Sequence, residues 1–421
     1  MSVKDNTDKP MKHELNVLNR ASLDACVKCT ICETACPVAA VTPLFSGPKF
    51  VGPQAERFRN GESVDHSLDY CSSCGVCTQV CPQGVQIAEL NSVARAVMKE
   101  EHGMPVRDRL IVNTVLMGKM MTPVAPVANA VLDNKLARVA MEKVVGVHRN
   151  APMPTAQGHS FEGWMKKHKP AKAATKGPVV FFHGCAGGWF EVETSIKTVE
   201  VLEYLGYEVY VPKQGCCGLA KQSNGLFDGA RKDVRKLCDA LRSAGDDLVI
   251  VSSSGSCAGM MKHEAHEILG LDDPALLDVG SRMVETSEFL LDLYDRGEFT
   301  ADALRPIEAK LPYHAPCQLR GQGMGSPAIT LMELIPGLEI IESEAACCGI
   351  AGTYGLKKEK YDVAQAVGKP LFDMVKRSGA KLAACDTETC RWQIETSTGV
   401  TTVHPVHLIH AALGLSEIPV I

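Results

Sequence analysis

The feature that most constrains this chain is a pair of cysteine motifs near its N-terminus. Both read C-x2-C-x2-C-x3-C-P: CVKCTICETACP starts at Cys26, and CSSCGVCTQVCP starts at Cys71. Eight of the 18 cysteines therefore lie before residue 82. Thiols repeated at such short spacing can converge on one centre, so this part of the chain is expected to serve metal binding or redox chemistry.

The spacing is that of a bacterial ferredoxin with two 4Fe-4S clusters, in which the fourth cysteine of each motif closes the other cluster. Zinc is the competing interpretation, but it takes four ligands, usually from two C-x2-C pairs, and the two full motifs fit it less well. Helical patterning from Ile87 to Glu101 predicts a mostly helical domain. The expected ligands are Cys26, Cys29, Cys32 and Cys81 for cluster 1, and Cys71, Cys74, Cys77 and Cys36 for cluster 2.

Composition also favours metal over disulfides. The N-terminus, MSVKDNTDKPMKHELNVLNR, lacks the apolar core of a signal peptide, so we expect a reducing compartment in which disulfides rarely persist. The formal net charge of -5 excludes a nucleic-acid binder of the usual basic kind. No uninterrupted apolar stretch reaches the roughly 18 residues of a membrane span, so we expect any membrane contact to be peripheral.

The later cysteines recur with a period, which indicates a tandem duplication. Each copy contains a cysteine, then a CCG tripeptide, then a final cysteine, and the matching positions differ by 131 to 133 residues. Apolar strands alternate with amphipathic helices in both copies, which predicts α/β units with parallel sheets. The cysteines should then lie at the carboxyl ends of strands, the edge at which such sheets bind ligands.

The repeats supply a second group of candidate ligands. Four thiolates can hold an iron-sulfur cluster or a zinc ion, so we expect one or the other in each repeat. Cys238 has no counterpart in the second copy and is expected to be a core residue. The candidates are Cys185, Cys216, Cys217 and Cys257 in the first repeat, and Cys317, Cys347, Cys348 and Cys390, with Cys385 as a shifted fifth, in the second.

The paired motifs, both CCG repeats and the ending ETCRWQIETSTG before HPVHLIHAAL resemble a known family. It comprises the CCG-repeat, heterodisulfide-reductase-related iron-sulfur subunits of quinone-linked oxidoreductases, that of anaerobic glycerol-3-phosphate dehydrogenase among them. The resemblance implies an electron-transfer subunit without catalytic residues of its own. It would take electrons from a flavoprotein dehydrogenase subunit and pass them towards quinone, bound peripherally at the cytoplasmic side of the cell membrane.

The same resemblance leaves alternatives open. Related subunits serve lactate and glycolate oxidation, and heterodisulfide reductases use CCG cysteines to hold non-cubane clusters. This chain has Ser254 and Thr387 where that pattern has a further cysteine. A thiol- or heterodisulfide-reducing enzyme is therefore one alternative. A zinc-stabilised scaffold, in which the ferredoxin domain alone is redox active, is another.

The expected fold is multidomain α+β, a helical two-cluster ferredoxin domain followed by two tandem α/β CCG repeats. Residues 105–149 are apolar and carry seven basic against three acidic residues. They are expected either to dock on a membrane or partner subunit, or to pack the ferredoxin domain onto the repeats. No nucleotide-binding loop is evident, so hydride chemistry requires a partner subunit. The predicted boundaries are 1–104 for the ferredoxin domain, 105–177 for the amphipathic segment and linker, and 178–305 and 306–421 for the repeats.

Overall fold

A computed structural model describes residues 17–55 and 65–418 of the chain. Its N-terminal part is helical, with short helices beside the cysteine motifs and one long helix behind them. That long helix buries Leu90, Val93 and Ala94 against the motifs and the repeats. The helices are α1 (Val17–Ser22), α2 (Ile31–Thr34), α3 (Val76–Gln79) and α4 (Ile87–His102).

The segment between the ferredoxin domain and the repeats is also helical. Asn134 begins one of its helices by accepting hydrogen bonds from two backbone amides, a typical N-cap. The part predicted to be a linker is packed rather than free, because Phe161 is fully buried in the core of the repeats. The helices are α5 (Val106–Ile111), α6 (Thr114–Met121), α7 (Ala125–Asp133), α8 (Lys135–Val144) and α9 (Phe161–Met165).

The first repeat is a four-stranded parallel sheet in the order β2-β1-β3-β4. Its central strands are apolar on both faces because helices cover both sides. The sequence predicted three of its strands and missed the edge strand β4, which is only three residues long. The elements are β1 (Pro178–Phe182), α10 (Gly184–Trp189), α11 (Val192–Tyr204), β2 (Glu208–Tyr210), α12 (Leu219–Ser223), α13 (Phe227–Arg242), β3 (Ile250–Ser252), α14 (Gly255–Gly259), α15 (Ala265–Glu267), α16 (Pro274–Arg282), β4 (Met283–Glu285) and α17 (Thr286–Asp295).

The second repeat has the same topology, with four parallel strands in the order β6-β5-β7-β8. Again the short fourth strand, β8, was not predicted. The elements are β5 (Ala309–Tyr313), α18 (Cys317–Arg320), α19 (Pro327–Glu333), β6 (Leu338–Glu342), α20 (Tyr361–Ser378), β7 (Leu382–Ala384), α21 (Glu388–Thr398), β8 (Thr401–Val403) and α22 (Pro405–Ala412).

A shared apolar core joins the two repeats. Helix α11 of the first packs against α22 of the second, and Val199 and Ile409 are both buried in the same cluster. The repeats are therefore one body with their strand ends facing a common region.

The segment around α6 and α7 is apolar and largely exposed. Thr114–Asp133 forms a run of 20 helical residues that is long and apolar enough, by length and composition, to cross a membrane. Lys119 and Asn129 interrupt this run, so it does not contradict the expectation that no uninterrupted apolar stretch reaches the length of a membrane span. Only 11% of its most apolar window is buried against the rest of the chain. A 3-10 turn at Thr122–Val124 separates the two helices.

Candidate metal centres

The structure gathers the 17 candidate cysteines into four groups, each named by its domain. The first ferredoxin set is Cys26, Cys29, Cys32 and Cys81; the second ferredoxin set is Cys36, Cys71, Cys74 and Cys77; the first-repeat set is Cys185, Cys216, Cys217 and Cys257; and the second-repeat set is Cys317, Cys347, Cys348, Cys385 and Cys390.

In the ferredoxin domain, the fourth cysteine of each motif lies with the other motif. Burial raises the pKa of the Cys32 thiol to about 11, and the neighbouring charges that add to the shift include Cys81 from the second motif. Burial likewise raises the pKa of Cys77, and Cys36 from the first motif contributes. This exchange is the arrangement that two cubic clusters require. The assignment of these thiols as ligands stays a prediction.

Left-handed backbone lets each motif wrap around its centre. Lys28 and Thr30 have φ of 60° and 68° in the first motif, and Ser73 and Gly75 have φ of 56° and 77° at the matching positions of the second. A non-glycine residue pays about 1–2 kcal/mol for this conformation. Strain repeated at matched positions is typical of a functional site that the fold holds in place.

The first-repeat set lies beyond the carboxyl ends of β1, β2 and β3. The Sγ atoms of Cys217 and Cys257 are 3.3 Å apart. Hydrogen bonds from neighbouring thiols, that of Cys185 first, hold the pKa of Cys216 well below its usual value. The Gly218 amide adds a hydrogen bond to the Cys216 sulfur at 3.4 Å. The Cys216 sulfur is thus the hydrogen-bond acceptor of the set.

The second-repeat set repeats this geometry with a further thiol. The Sγ atoms of Cys348 and Cys390 are 3.0 Å apart, and the Gly349 amide donates to the Cys347 sulfur at 3.3 Å. Hydrogen bonds from Cys317 and then Cys348 lower the pKa of Cys347. Cys385 follows β7 directly and is hydrogen-bonded to Cys390, so the shifted cysteine lies in the set.

His314 stands beside the second-repeat set. Its ring is buried, neither ring nitrogen has a hydrogen-bond partner in the structure, and one nitrogen lies within 4.8 Å of the Cys348 and Cys390 sulfurs. Burial lowers its pKa to about 4, so the ring is neutral and can act as a ligand or an acceptor. His183 of the first repeat differs, because its Nδ1 pairs with the Gly184 carbonyl at 2.6 Å.

The four sets are not evenly spread. The second ferredoxin set adjoins the second-repeat set. Burial is the largest cause of the raised pKa of Cys74, and the charge of Cys347 is the next largest. The charge of Cys74 in turn helps to raise the pKa of Cys317. The charge of Cys347 also contributes to the raised pKa of Cys36. A cavity of about 180 Å³ lies between the two repeat sets, and Cys74 contributes to its wall. The first ferredoxin set packs against Cys77 of the second, and its Cys29 is exposed.

The donors present fit iron-sulfur chemistry. Each ferredoxin set offers four sulfurs and each repeat set at least four, and buried thiols with no disulfide are the ligands that iron-sulfur clusters prefer. Amide groups aimed at sulfur, as at Gly218 and Gly349, tune bound iron. Zinc would also accept the four thiolates of the first repeat.

The residues that replace further cysteines have another role. Ser254 donates to the Glu388 carboxylate at 3.2 Å, and the hydroxyls of Ser256 and Thr387 lie 3.2 Å apart. Both contacts cross from one repeat to the other beside the sets. These side chains therefore join the repeats. The sequence showed only that they were not cysteine.

A second buried polar cluster was missed in the sequence. Glu285, Asp386 and His404 are fully buried, and each has one side-chain atom without a hydrogen-bond partner in the structure. His404 Nδ1 accepts from the Val406 amide at 3.1 Å, so a neutral ring carries its proton on Nε2, which then cannot ligate a metal. Burial raises the pKa of Glu285 to about 7. No sequence signal links Glu285 with His404, because the two residues lie 119 positions apart in the chain.

Comparison with known proteins agrees with this architecture. The 4Fe-4S dicluster domain family matches residues 22–85, and the cysteine-rich (CCG) domain family matches residues 179–262 and 311–395. These matches confirm the predicted order of a ferredoxin-type domain and two CCG repeats.

Three relatives show how far the likeness extends. The chain is 36% identical to a subunit of the anaerobic glycerol-3-phosphate dehydrogenase of Escherichia coli (strain K12) over 403 residues, which is 94% of this chain and 100% of the relative. It is 32% identical over 183 residues to a lactate utilization protein of Bacillus licheniformis (42% and 75%). It is 29% identical over 221 residues to a subunit of the fumarate reductase (CoM/CoB) of Methanothermobacter marburgensis (52% and 41%).

Proposed function

Because the chain belongs to the iron-sulfur subunit family represented in anaerobic glycerol-3-phosphate dehydrogenase, we propose that it is the electron-transfer subunit of such a dehydrogenase. It accepts electrons from a flavoprotein subunit that oxidises glycerol-3-phosphate and passes them to quinone at the cytoplasmic surface of the membrane. The observation that carries the proposal is the packing of Cys74 of the second ferredoxin set against the buried cluster that holds Cys317 and Cys347 of the second-repeat set.

That contact makes the four sets a series of neighbours, because Cys32 packs with Cys77, Cys74 packs with Cys347, and both repeat sets line one cavity. Iron-sulfur clusters bound at the sets would supply one-electron carriers. The chain's own contribution is to bury Cys77 inside the ferredoxin domain, to half-bury Cys74 against the second repeat, and to leave Cys29 of the first ferredoxin set exposed. Electrons from a partner must enter at the accessible end.

The surface at that end suits a protein partner. Val27 is 64% exposed and Ile31 41% exposed, and both flank the exposed Cys29. Apolar side chains held out by a strained loop are typical of a docking site. We place the flavoprotein subunit over this loop.

The membrane contact is assigned to helices α5 to α8. They carry a row of exposed apolar side chains: Val106, Leu110, Leu116, Met120, Val124, Val127, Val131, Leu136 and Val144. Four exposed basic residues lie along the same helices: Arg109, Lys119, Lys135 and Lys143. Among the described residues, 17–55 and 65–418, none of the four has an ion-pair partner. Apolar and basic groups together favour an anionic lipid surface.

Contacts of α6 favour a helix lying on the membrane over one crossing it. Gly118 lies against the Trp189 side chain so closely that a Cβ atom at this position would lie 2.4 Å from the ring. Met117 reaches the cavity between the repeats. The helix is therefore anchored to the first repeat along one side, and its other side is left for lipid.

The test of electron transfer uses the complex purified without oxygen from its native membranes. Glycerol-3-phosphate should bleach the visible iron-sulfur absorbance. Cys74→Ala should lose one 4Fe-4S cluster by iron analysis and stop quinone reduction, while the flavoprotein still reduces an artificial dye. Cys238→Ala, which removes a buried thiol of α13 outside the four sets, is the matched control and should behave as wild type.

Other outcomes would redirect the proposal. Bleaching by lactate or glycolate alone would keep the electron-transfer role and replace the substrate, as the likeness to a lactate utilization protein allows. Full quinone reduction by Cys74→Ala would contradict the route. Disulfide reduction without a flavoprotein would favour a thiol reductase.

The membrane contact is tested by sedimentation with vesicles of anionic phospholipid. Lys119→Glu combined with Lys143→Glu should lower binding at least tenfold, and added salt should weaken binding of the wild type. Lys232→Glu with Lys236→Glu, on the exposed face of α13, changes the net charge equally and should retain most binding. Equal losses in both pairs would show a general charge effect and no docking face.

A further inference from the structure

We propose that the ring of the quinone binds in the apolar cavity between the two repeat sets and enters it from the lipid past α6. This inference rests on the proposed function and deepens it by naming the place where quinone is reduced. Both sets line this cavity, Cys185 and Cys216 from the first repeat and Cys348 and Cys390 from the second.

The remaining wall is mostly apolar. Away from the thiols, Ile111, Met117, Phe190, Ile350 and Trp392 form its apolar part, and Gln222, Gln318 and Glu388 are among its polar residues. The cavity has a volume of about 180 Å³. Centres held by the thiols would fill the part of this cavity beside them, so the ring is placed at the apolar end next to α6, with the prenyl tail outside. Flat aromatic walls, here Phe190 and Trp392, favour stacking with such a ring.

Helix α6 connects the cavity with the proposed lipid face. Thr114 and Met117 line the cavity. Leu116 and Met120 on the same helix point outward and are 56% and 67% exposed. One helix therefore separates the acyl phase from the cavity, and a tail can lie along its outer side while the ring is inside. A water-soluble disulfide gains nothing from this arrangement, whereas a lipid-soluble quinone needs it.

A second, polar cavity adjoins the first and supplies the protons that quinone reduction needs. It has a volume of about 100 Å³, and Gln222, Gln318, Cys74 and Cys317 lie in the walls of both cavities. Its remaining lining includes Glu89, His263, Glu264 and Glu267. Solvent protons can reach the ring from this second cavity. Electron transfer to another metal protein would need no such supply of protons.

Quinone reduction at this place balances in electrons and protons. The quinone gains two electrons, which originate on the reduced flavin of the partner subunit and arrive singly, and two protons from solvent water. Both carbonyl C=O bonds become C–OH groups as the ring becomes aromatic. No bond to the protein forms, and the hydroquinone leaves by the path past α6.

Two tryptophan substitutions test the site in the purified complex. Met117→Trp fills the cavity, and Leu277→Trp places the same side chain on the exposed face of α16, away from the cavity and the proposed lipid face. With a short-chain ubiquinone analogue, Met117→Trp should raise KM at least tenfold, and Leu277→Trp should stay within twofold of wild type. Iron-sulfur bleaching by the dehydrogenase substrate should be unchanged in both. Equal KM values for Met117→Trp and wild type would overturn the proposal.

A second measurement does not depend on turnover or on the variants folding. An azido-ubiquinone photolysed on the wild-type complex should label peptides that line the cavity, such as those with Met117 or Trp392, and ubiquinone should suppress the label. Labelling confined to other peptides, or suppression by a small disulfide and not by ubiquinone, would overturn it. If glycerol-3-phosphate, lactate and glycolate all fail to bleach the complex while this labelling is found, the proposed function fails and the quinone site stands.

Discussion

Gly349, in the second CCG tripeptide, should tolerate alanine much less well than Gly218 in the first. Both glycines have left-handed backbone, with φ of 86° and 87°. A Cβ atom at Gly349 would lie 1.9 Å from the carbonyl oxygen of Ala364, whereas one at Gly218 would lie 2.9 Å from the carbonyl oxygen of Ala230. The duplication thus provides its own control.

The magnitude follows from these distances. The left-handed conformation costs alanine about 1–2 kcal/mol at either position. To reach an ordinary contact of 3.4 Å, the obstructing carbonyl must retreat by about 1.5 Å at Gly349 (3.4 less 1.9) and about 0.5 Å at Gly218 (3.4 less 2.9). The first shift moves the backbone of α20 and adds about 1–3 kcal/mol of overpacking. We expect Gly349→Ala to cost about 2–5 kcal/mol and Gly218→Ala about 1–2 kcal/mol.

The assay is urea unfolding of the anaerobic protein followed by circular dichroism, with iron measured in parallel. Gly349→Ala should lower the unfolding midpoint more than Gly218→Ala, and any loss of metal should affect the second-repeat set while the first-repeat set is retained. Equal midpoints for the two variants would refute the reasoning, because the backbone contact would then not decide the cost.

Two further predictions concern buried charge. The buried Asp108 carboxylate accepts hydrogen bonds from Arg107 at 2.9 Å and from Lys357 at 2.8 Å. Removing one partner of a buried ion pair costs about 3–5 kcal/mol, so Asp108→Asn should clearly lower the urea midpoint. Asp133→Asn, at an exposed position, should leave the midpoint unchanged. Burial raises the pKa of Glu285 from 4.5 to about 7, so the folded state keeps a proton that the unfolded chain loses above pH 4.5. The stability from this group is full below pH 4.5 and is lost as pH rises through about 7. Glu285→Gln should therefore gain stability relative to wild type between pH 5.5 and pH 8.5, and a constant difference would contradict this pKa.

Much of the architecture was predictable because the cysteines mark it. The short spacing of the N-terminal motifs predicts a ferredoxin-type domain, since only a compact loop brings such thiols together. The period shared by Cys185 and Cys317 predicts a duplication, and strand-helix alternation predicts parallel sheets. The short strands β4 and β8 escaped because three residues carry too weak a pattern. The run Thr114–Asp133 did not stand out in the sequence because Lys119 and two prolines interrupt its apolar character.

The sequence alone determined the kind of chemistry: the local spacing of each N-terminal motif brings three thiols to one centre, and that information is carried within a dozen residues. Only the tertiary structure decided how the centres relate to one another. The neighbourhood of Cys74 and Cys347, the cavity between the repeats and the buried group of Glu285 and His404 all join residues more than a hundred positions apart. Such contacts follow from how the two sheets and the ferredoxin domain pack, and no local pattern in the chain encodes that packing.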